Sequence, residues 1–294
     1  MGGGGDTRRV TAALATTLLL WSSAFVAIRI AIPHFSTPGM TLARLLIAAV
    51  ALAVVAPLFG LRRPARADLK RLVACGLTGM VGYQFLLNAG ERTIDASTAN
   101  ILVNTSPVLA TVLAWALLAQ RPHANNWIGL GLGLTGATVI AVAHHTTPTA
   151  GLDALLILGA ATAQALFFVL QRPLLDRYTG FEVTTYATWI GALAALPAAG
   201  HLAGDLTSDA DPSALASIAF LGVGPSAIGF LTWAYAQRRI SVAAATNTLY
   251  LAPPITAVLG WITLAETPGP ATVLGGLLVI GGVIVSHRMP ATTR

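Results

Sequence analysis

Ten stretches of the chain, at about 10–32, 38–59, 70–90, 96–119, 126–143, 151–171, 180–199, 213–236, 242–265 and 270–287, are predominantly apolar, and short polar segments separate them. A helix rises 1.5 Å per residue, so runs of this length reach across roughly 30 Å of hydrocarbon. The pattern predicts an all-α integral membrane protein with ten transmembrane helices. The first run follows Arg8 and Arg9 as a secretory signal would. Nine further spans, and a repeat that needs the first, make it a span instead.

Charge orients these spans. Fourteen of the seventeen Lys and Arg fall at the N-terminus, at the C-terminal tail and in every second loop, with Arg62, Arg63, Arg66, Lys70 and Arg71 in one of them. The alternate loops hold only Arg92 and gather Glu91, Asp95, Asp153, Asp205, Asp209, Asp211 and Glu266. Basic loops stay in the cytoplasm, so both termini are expected there.

A second regularity divides the chain. Pro107, Trp115, Ala119 and Pro122 recur as Pro253, Trp261, Ala265 and Pro268, and Gly129 and Gly136 as Gly275 and Gly282. Phe25-Val26 and Arg29 match Phe168-Val169 and Arg172 in the first span of each half. Ten spans in two halves leave five each, and an odd number inserts the second half upside down. The expected fold is therefore two inverted five-helix repeats, at 11–143 and 151–287, the architecture of a secondary transporter.

Composition narrows the alternatives. Hydrophobic residues are 55% and charged residues 10% of 294 positions, against about 25% charged in soluble domains. The net charge of +6 is spread through short loops without interleaved aromatics, which points to anionic lipid headgroups and away from nucleic acid. A lone Cys75 excludes an internal disulfide and a multi-cysteine metal site. Gly131-Leu-Gly133-Leu-Thr-Gly136 fits a dinucleotide fingerprint in letters only, because no strand–turn–helix unit can surround it. Glycines here and at Gly275-Gly276 and Gly281-Gly282 are expected to let helix backbones approach closely.

The candidate site comes from polar groups inside spans. Pro107 and Pro253-Pro254 interrupt helix hydrogen bonding, and in lipid the freed carbonyls need partners or a wet cavity. Ser97, Asn100 and Asn104 share one helical face before Pro107, and Thr246, Asn247 and Tyr250 precede Pro253. Interhelical bonding and solute binding are both open readings of these groups. Trp21, Tyr83 and Trp233 lie deeper than an interfacial aromatic belt. Arg44 lies more than a turn inside its span, facing a cavity where it would attract a carboxylate or phosphate; Arg29 is expected to snorkel outward. The substrate-binding set is therefore Trp21, Arg44, Tyr83, Asn100, Asn104, Trp233, Asn247 and Tyr250, on spans one, four, six and nine and their neighbours. No acid or histidine falls near a span centre, which favours facilitated diffusion or exchange, with Glu91 and Glu182 as fallback proton sites. No catalytic set, cofactor loop or metal cluster is legible, and no enzymatic activity is expected. A solute channel and a membrane receptor or scaffold are the alternatives.

The runs Trp21–Arg29, Arg44-Leu-Leu-Ile-Ala, Ser106-Pro107 through Ala119, and Leu251-Ala-Pro253 through Glu266 with Gly275-Gly276 resemble the EamA family of the drug/metabolite transporter superfamily. The resemblance covers nearly the whole chain as two modules. It implies an inner-membrane carrier that exports amino acids or other small metabolites by alternating access through a central cavity, with a homodimer as one possible assembly. Gln120 stands where the family commonly has an acid.

Overall fold

A computed structural model describes residues 3–118, 148–207, 211–240, 242–267 and 269–287, with isolated positions between 127 and 139. The expected span at 126–143 lies largely outside the described residues. No strand occurs among those described, and six helical stretches are long and apolar enough to cross a membrane.

The helices are α1 (Gly3–Ala31), α2 (Thr37–Phe59), α3 (Arg66–Cys75), α4 (Tyr83–Gly90), α5 (Ala96–Val103), α6 (Ser106–Leu118), α7 (Pro148–Leu175), α8 (Gly180–Ala195), α9 (Ala199–Thr207), α10 (Pro212–Val223), α11 (Phe230–Gln237), α12 (Val242–Thr248), α13 (Ala252–Leu264) and α14 (Pro270–His287). Several are pieces of one long span. The π-helical turns Gly76–Gly82 and Gly224–Gly229 join α3 to α4 and α10 to α11. Asn104 and Thr105 break the run from α5 to α6, and a 3₁₀ turn at Leu249–Leu251 joins α12 to α13. The prolines at Pro107 and Pro253 follow these last two breaks closely. Proline cannot donate to the preceding turn, so each helix restarts there.

Caps fix where helices begin. Ser36 accepts the Gly39 N–H at the start of α2, Asp95 accepts the Thr98 N–H at α5, and Asp211 accepts the Ser213 N–H at α10. Thr179 and Glu182 form a reciprocal capping box at α8. The Glu182 carboxylate also takes Arg62 Nε and Nη2, each at 2.8 Å, and holds that guanidinium above its ordinary pKa. The start of α2 repeats this arrangement with parts exchanged. Ser36 and Thr179, Gly39 and Glu182, and Arg62 and Asp205 are each 143 positions apart. Asp205 bonds the Ser36 N–H at 3.0 Å and its hydroxyl at 2.8 Å, as Glu182 bonds Thr179. A side chain at Gly39 would collide with it, its Cβ falling 1.9 Å from Asp205 Oδ2. One carboxylate comes from the capped helix and the other from across the molecule.

Glycine also sets how closely the two halves meet. The face of span three made by Gly79 and Gly90 packs on α7, where added Cβ atoms would lie 2.3 Å from the Phe167 ring and 2.8 Å from the Asp153 carbonyl. Gly76 approaches the Ala187 carbonyl of α8 in the same way, at 2.9 Å. Lipid tails give helices no hydrophobic reason to associate, so close packing by small residues carries this interface. Gly282, expected to be such a contact, brings its helix to within 2.7 Å of the Gly129 carbonyl, measured from a built Cβ.

Candidate functional site

A small pocket lies where the broken helices meet, lined by Trp21, Phe25, Tyr83, Asn100, Val103, Asn104, Ser106, Gln164, Leu249 and Ala252. About 20 Å³ of it is open to the centres of water molecules, room for roughly one. No lining residue carries a formal charge. Both halves contribute: α1, α4, α5 and α6 from the first, α7, α13 and the 3₁₀ turn from the second.

The polar groups on this wall are ordered by one another. Asn100 Nδ2 donates to Thr256 Oγ1, which donates to the Ser22 carbonyl at 3.1 Å. Asn104 Nδ2 donates to Asn100 Oδ1 at 2.6 Å and to the Asn100 carbonyl at 2.9 Å. Every donor in this chain points the same way, so both amides are fixed in orientation. Asn104 Oδ1 ends the chain as a buried acceptor without a partner among the described residues. Across the pocket, Ser106 donates to Gln164 Oε1 at 2.9 Å. Gln164 stands 143 positions after Trp21, and the two occupy matching places on α1 and α7.

Aromatic rings back this wall. The Trp21 ring is 5.4 Å from Trp233, 5.1 Å from Phe230 and 6.2 Å from Phe168 between centroids. Its indole N–H reaches the Pro225 carbonyl in the second π-helical turn at 3.2 Å. Gly229 in that turn is 2.6 Å from Trp21 Nε1 when given a Cβ, so the bare backbone is what seats the indole.

Of the residues expected at the site, Trp21, Tyr83, Asn100 and Asn104 line this pocket. Trp233 is fully buried behind Trp21 and supports it without lining the pocket. Arg44 is also buried, but its Nη1 donates to Asn88 Oδ1 at 2.8 Å and Asn88 in turn to Thr41 at 2.9 Å. The guanidinium is held by a neighbouring helix and lies within electrostatic reach of the pocket residue Tyr83. The backbone of Asn247 and Tyr250 belongs to α12 and the 3₁₀ turn; their side chains lie outside the described residues. Arg29, partly exposed, reaches the segment beyond the helix ends, where its Nε pairs with Glu266 Oε1 at 3.1 Å and its Nη1 donates to the Glu91 carbonyl at 2.7 Å. Gln164 and Ser106 were absent from the expected set. The match of Gln164 to Trp21 through the repeat is the signal that could have found it.

Comparison with known proteins follows from this arrangement. The sequence profile of the EamA-like transporter family matches residues 10–142 and 152–288. The chain is 42% identical over 277 residues to the "Probable terminal-alkyne amino-acid exporter" of Streptantibioticus cattleyicolor, covering 94% of this chain and 92% of that protein. It is 30% identical to the uncharacterized transporter YdfC of Bacillus subtilis, over 91% and 87% of the two chains. An uncharacterized transporter of Archaeoglobus fulgidus is 27% identical over 94% and 97%. One solved crystal structure superposes with a TM-score of 0.70 at 21% identity, covering 97% of this chain and 99% of its own. That likeness concerns the fold.

Proposed function

Since this chain belongs to the EamA-like transporter family, and is thereby a multi-pass membrane transporter of small molecules, we propose that it is a secondary carrier exporting an amino acid or similar metabolite. Its ten spans form two inverted five-helix modules, at 11–143 and 151–287, and rocking between them opens the shared pocket alternately to each side. It resides in the inner membrane with both termini in the cytoplasm.

The observation that carries this reading is the pocket itself, small, mainly apolar with a few amide and hydroxyl groups converging on it, and built by both halves at their paired helix breaks. A polar chamber at such breaks is how a transporter presents hydrogen-bonding groups within lipid. Two features support an amino acid as cargo. The wall has no charged residue, so a net-neutral solute enters without an unbalanced charge. Asn104 Oδ1, the open end of the ordered chain, accepts an N–H or ammonium donor. The substrate-binding set proposed from the sequence is retained as Trp21, Tyr83, Asn100, Asn104, Asn247 and Tyr250. Arg44 and Trp233 support that wall from behind. The relative named as a terminal-alkyne amino-acid exporter supplies a probe, L-propargylglycine.

Cells overproducing the chain are expected to tolerate more of this toxic analogue and to lose it faster after preloading. Asn104→Leu removes the acceptor and should abolish the added tolerance while the protein still elutes as a folded peak. Wild-type efflux from Asn104→Leu cells would remove Asn104 from the site. Unchanged tolerance across a panel of neutral amino-acid analogues would contradict the amino-acid reading.

A further inference from the structure

Glu91 follows α4 at its C-terminal end. Named from the sequence as a fallback proton site, it has a fully buried side chain, and neither carboxylate oxygen has a hydrogen-bond partner among the described residues. Four charged groups from separate segments act on it: Arg29 on α1, Arg44 on α2, Asp95 at the start of α5 and Glu266 beyond α13. Each has its own geometry. Arg29 spans Glu266 and the Glu91 carbonyl; Arg44 holds Asn88 and has no partner for its buried Nε among the described residues; Asp95 caps α5; Glu266 Oε2 accepts the Ala96 N–H at 3.1 Å.

Charge counting then decides the state of Glu91. Two guanidinium groups face two other carboxylates, so the cluster balances when Glu91 is neutral and carries a surplus negative charge when it is ionised. A buried carboxylate with no hydrogen bond is strongly disfavoured.

We propose that Glu91 is a proton-binding site, and that its proton holds the outer face of the carrier closed. With Glu91 neutral, Arg29 stays on Glu266 and ties α1 to the segment after α13, one half to the other. When the proton passes to water on the outer side, the new carboxylate lies among the same two guanidinium groups. Arg29 turning toward it leaves Glu266, and the tie between halves loosens. Arg44, its Nε without a partner among the described residues, stabilises the ionised form. The solute pocket's described wall carries no formal charge, and its Tyr83 lies within electrostatic reach of Glu91 and Arg44. The word "outer" rests on the orientation proposed above.

The test uses accessibility, so it does not depend on knowing the cargo. In full-length protein lacking Cys75, a pocket reporter, Val103→Cys, is reacted with a membrane-impermeant methanethiosulfonate reagent added outside right-side-out vesicles. The exposed Ser213→Cys corrects for thiol ionisation. Between about pH 5.5 and 8.5, the corrected rate is expected to rise with pH, by at most about tenfold per unit for one proton. Glu91→Gln mimics the neutral form, so it should fold and stay slow at every pH; Glu91→Asp should restore a pH-dependent rate. A flat profile in the parent, or an unchanged profile in Glu91→Gln, would overturn the proton site. Failure of the outside reagent to reach Ser213→Cys would instead overturn the orientation, and the outer-face assignment with it.

Discussion

Replacing Gly79 by alanine probes the contact on which the two halves meet. The new methyl would fall 2.3 Å from Cγ and Cδ2 of Phe167, and 2.8 Å from its Cβ. Carbon atoms pack at about 3.5–4.0 Å, so α7 or the ring must retreat by more than an ångström. The ring is poorly placed to do so, being buried and set edge-on against Phe230 with centroids 5.4 Å apart. Nor can span three slide away freely, because Gly90 on the same face already touches α7 at the Asp153 carbonyl. Overpacking a core costs about 1–3 kcal/mol, and a clash this deep belongs at about 3. For a chain of this size that corresponds to a fall in Tm of about 6–12 °C. The assay is the monomer peak surviving heating in detergent. Phe167→Leu alone should cost about 1–2 kcal/mol through its cavity. The double variant should then lose at least about 1 kcal/mol less than the two singles together, the signature of residues in contact. Strict additivity, or an unmoved Tm in Gly79→Ala, would mean the halves do not meet along this face.

The paired caps make a sharper exchange test. Gly39→Glu should destabilise by colliding with Asp205, and Asp205→Ala should cost about 1 kcal/mol of capping; together they rebuild the Thr179–Glu182 arrangement at α2 and should recover most of the loss in a thermal melt. Arg29→Glu and Glu266→Arg should each lower Tm slightly, since partly buried pairs are worth about 1 kcal/mol. Their combination should restore it, whereas equal losses in all three variants would deny the pairing.

The helical, membrane-spanning class was legible because lipid imposes strict rules on sequence. Apolar runs marked the six helical stretches long enough to span, and the helix restarts near Pro107 and Pro253 lie where the missing N–H requires. The π-helical turns were not legible, since a one-residue change of helical repeat leaves no mark on hydrophobicity. At the site, the shared face of Asn100 and Asn104 was readable from helical periodicity. The fate of Arg44 was not, because capture by Asn88 depends on how two helices are rotated against each other. Glu91 shows the same limit: a loop position says nothing about what folds over it. The exchange of Glu182 for Asp205 was hidden because a bare glycine at 39 signals a partner only once that partner is in place.

Counterflow in proteoliposomes tests the carrier most directly. Vesicles preloaded with unlabelled L-propargylglycine should take up the labelled compound faster than empty ones, with a rate that saturates and that Asn104→Leu removes. Uptake that grows linearly with concentration and ignores the internal load would mean an open channel, and no alternating pocket.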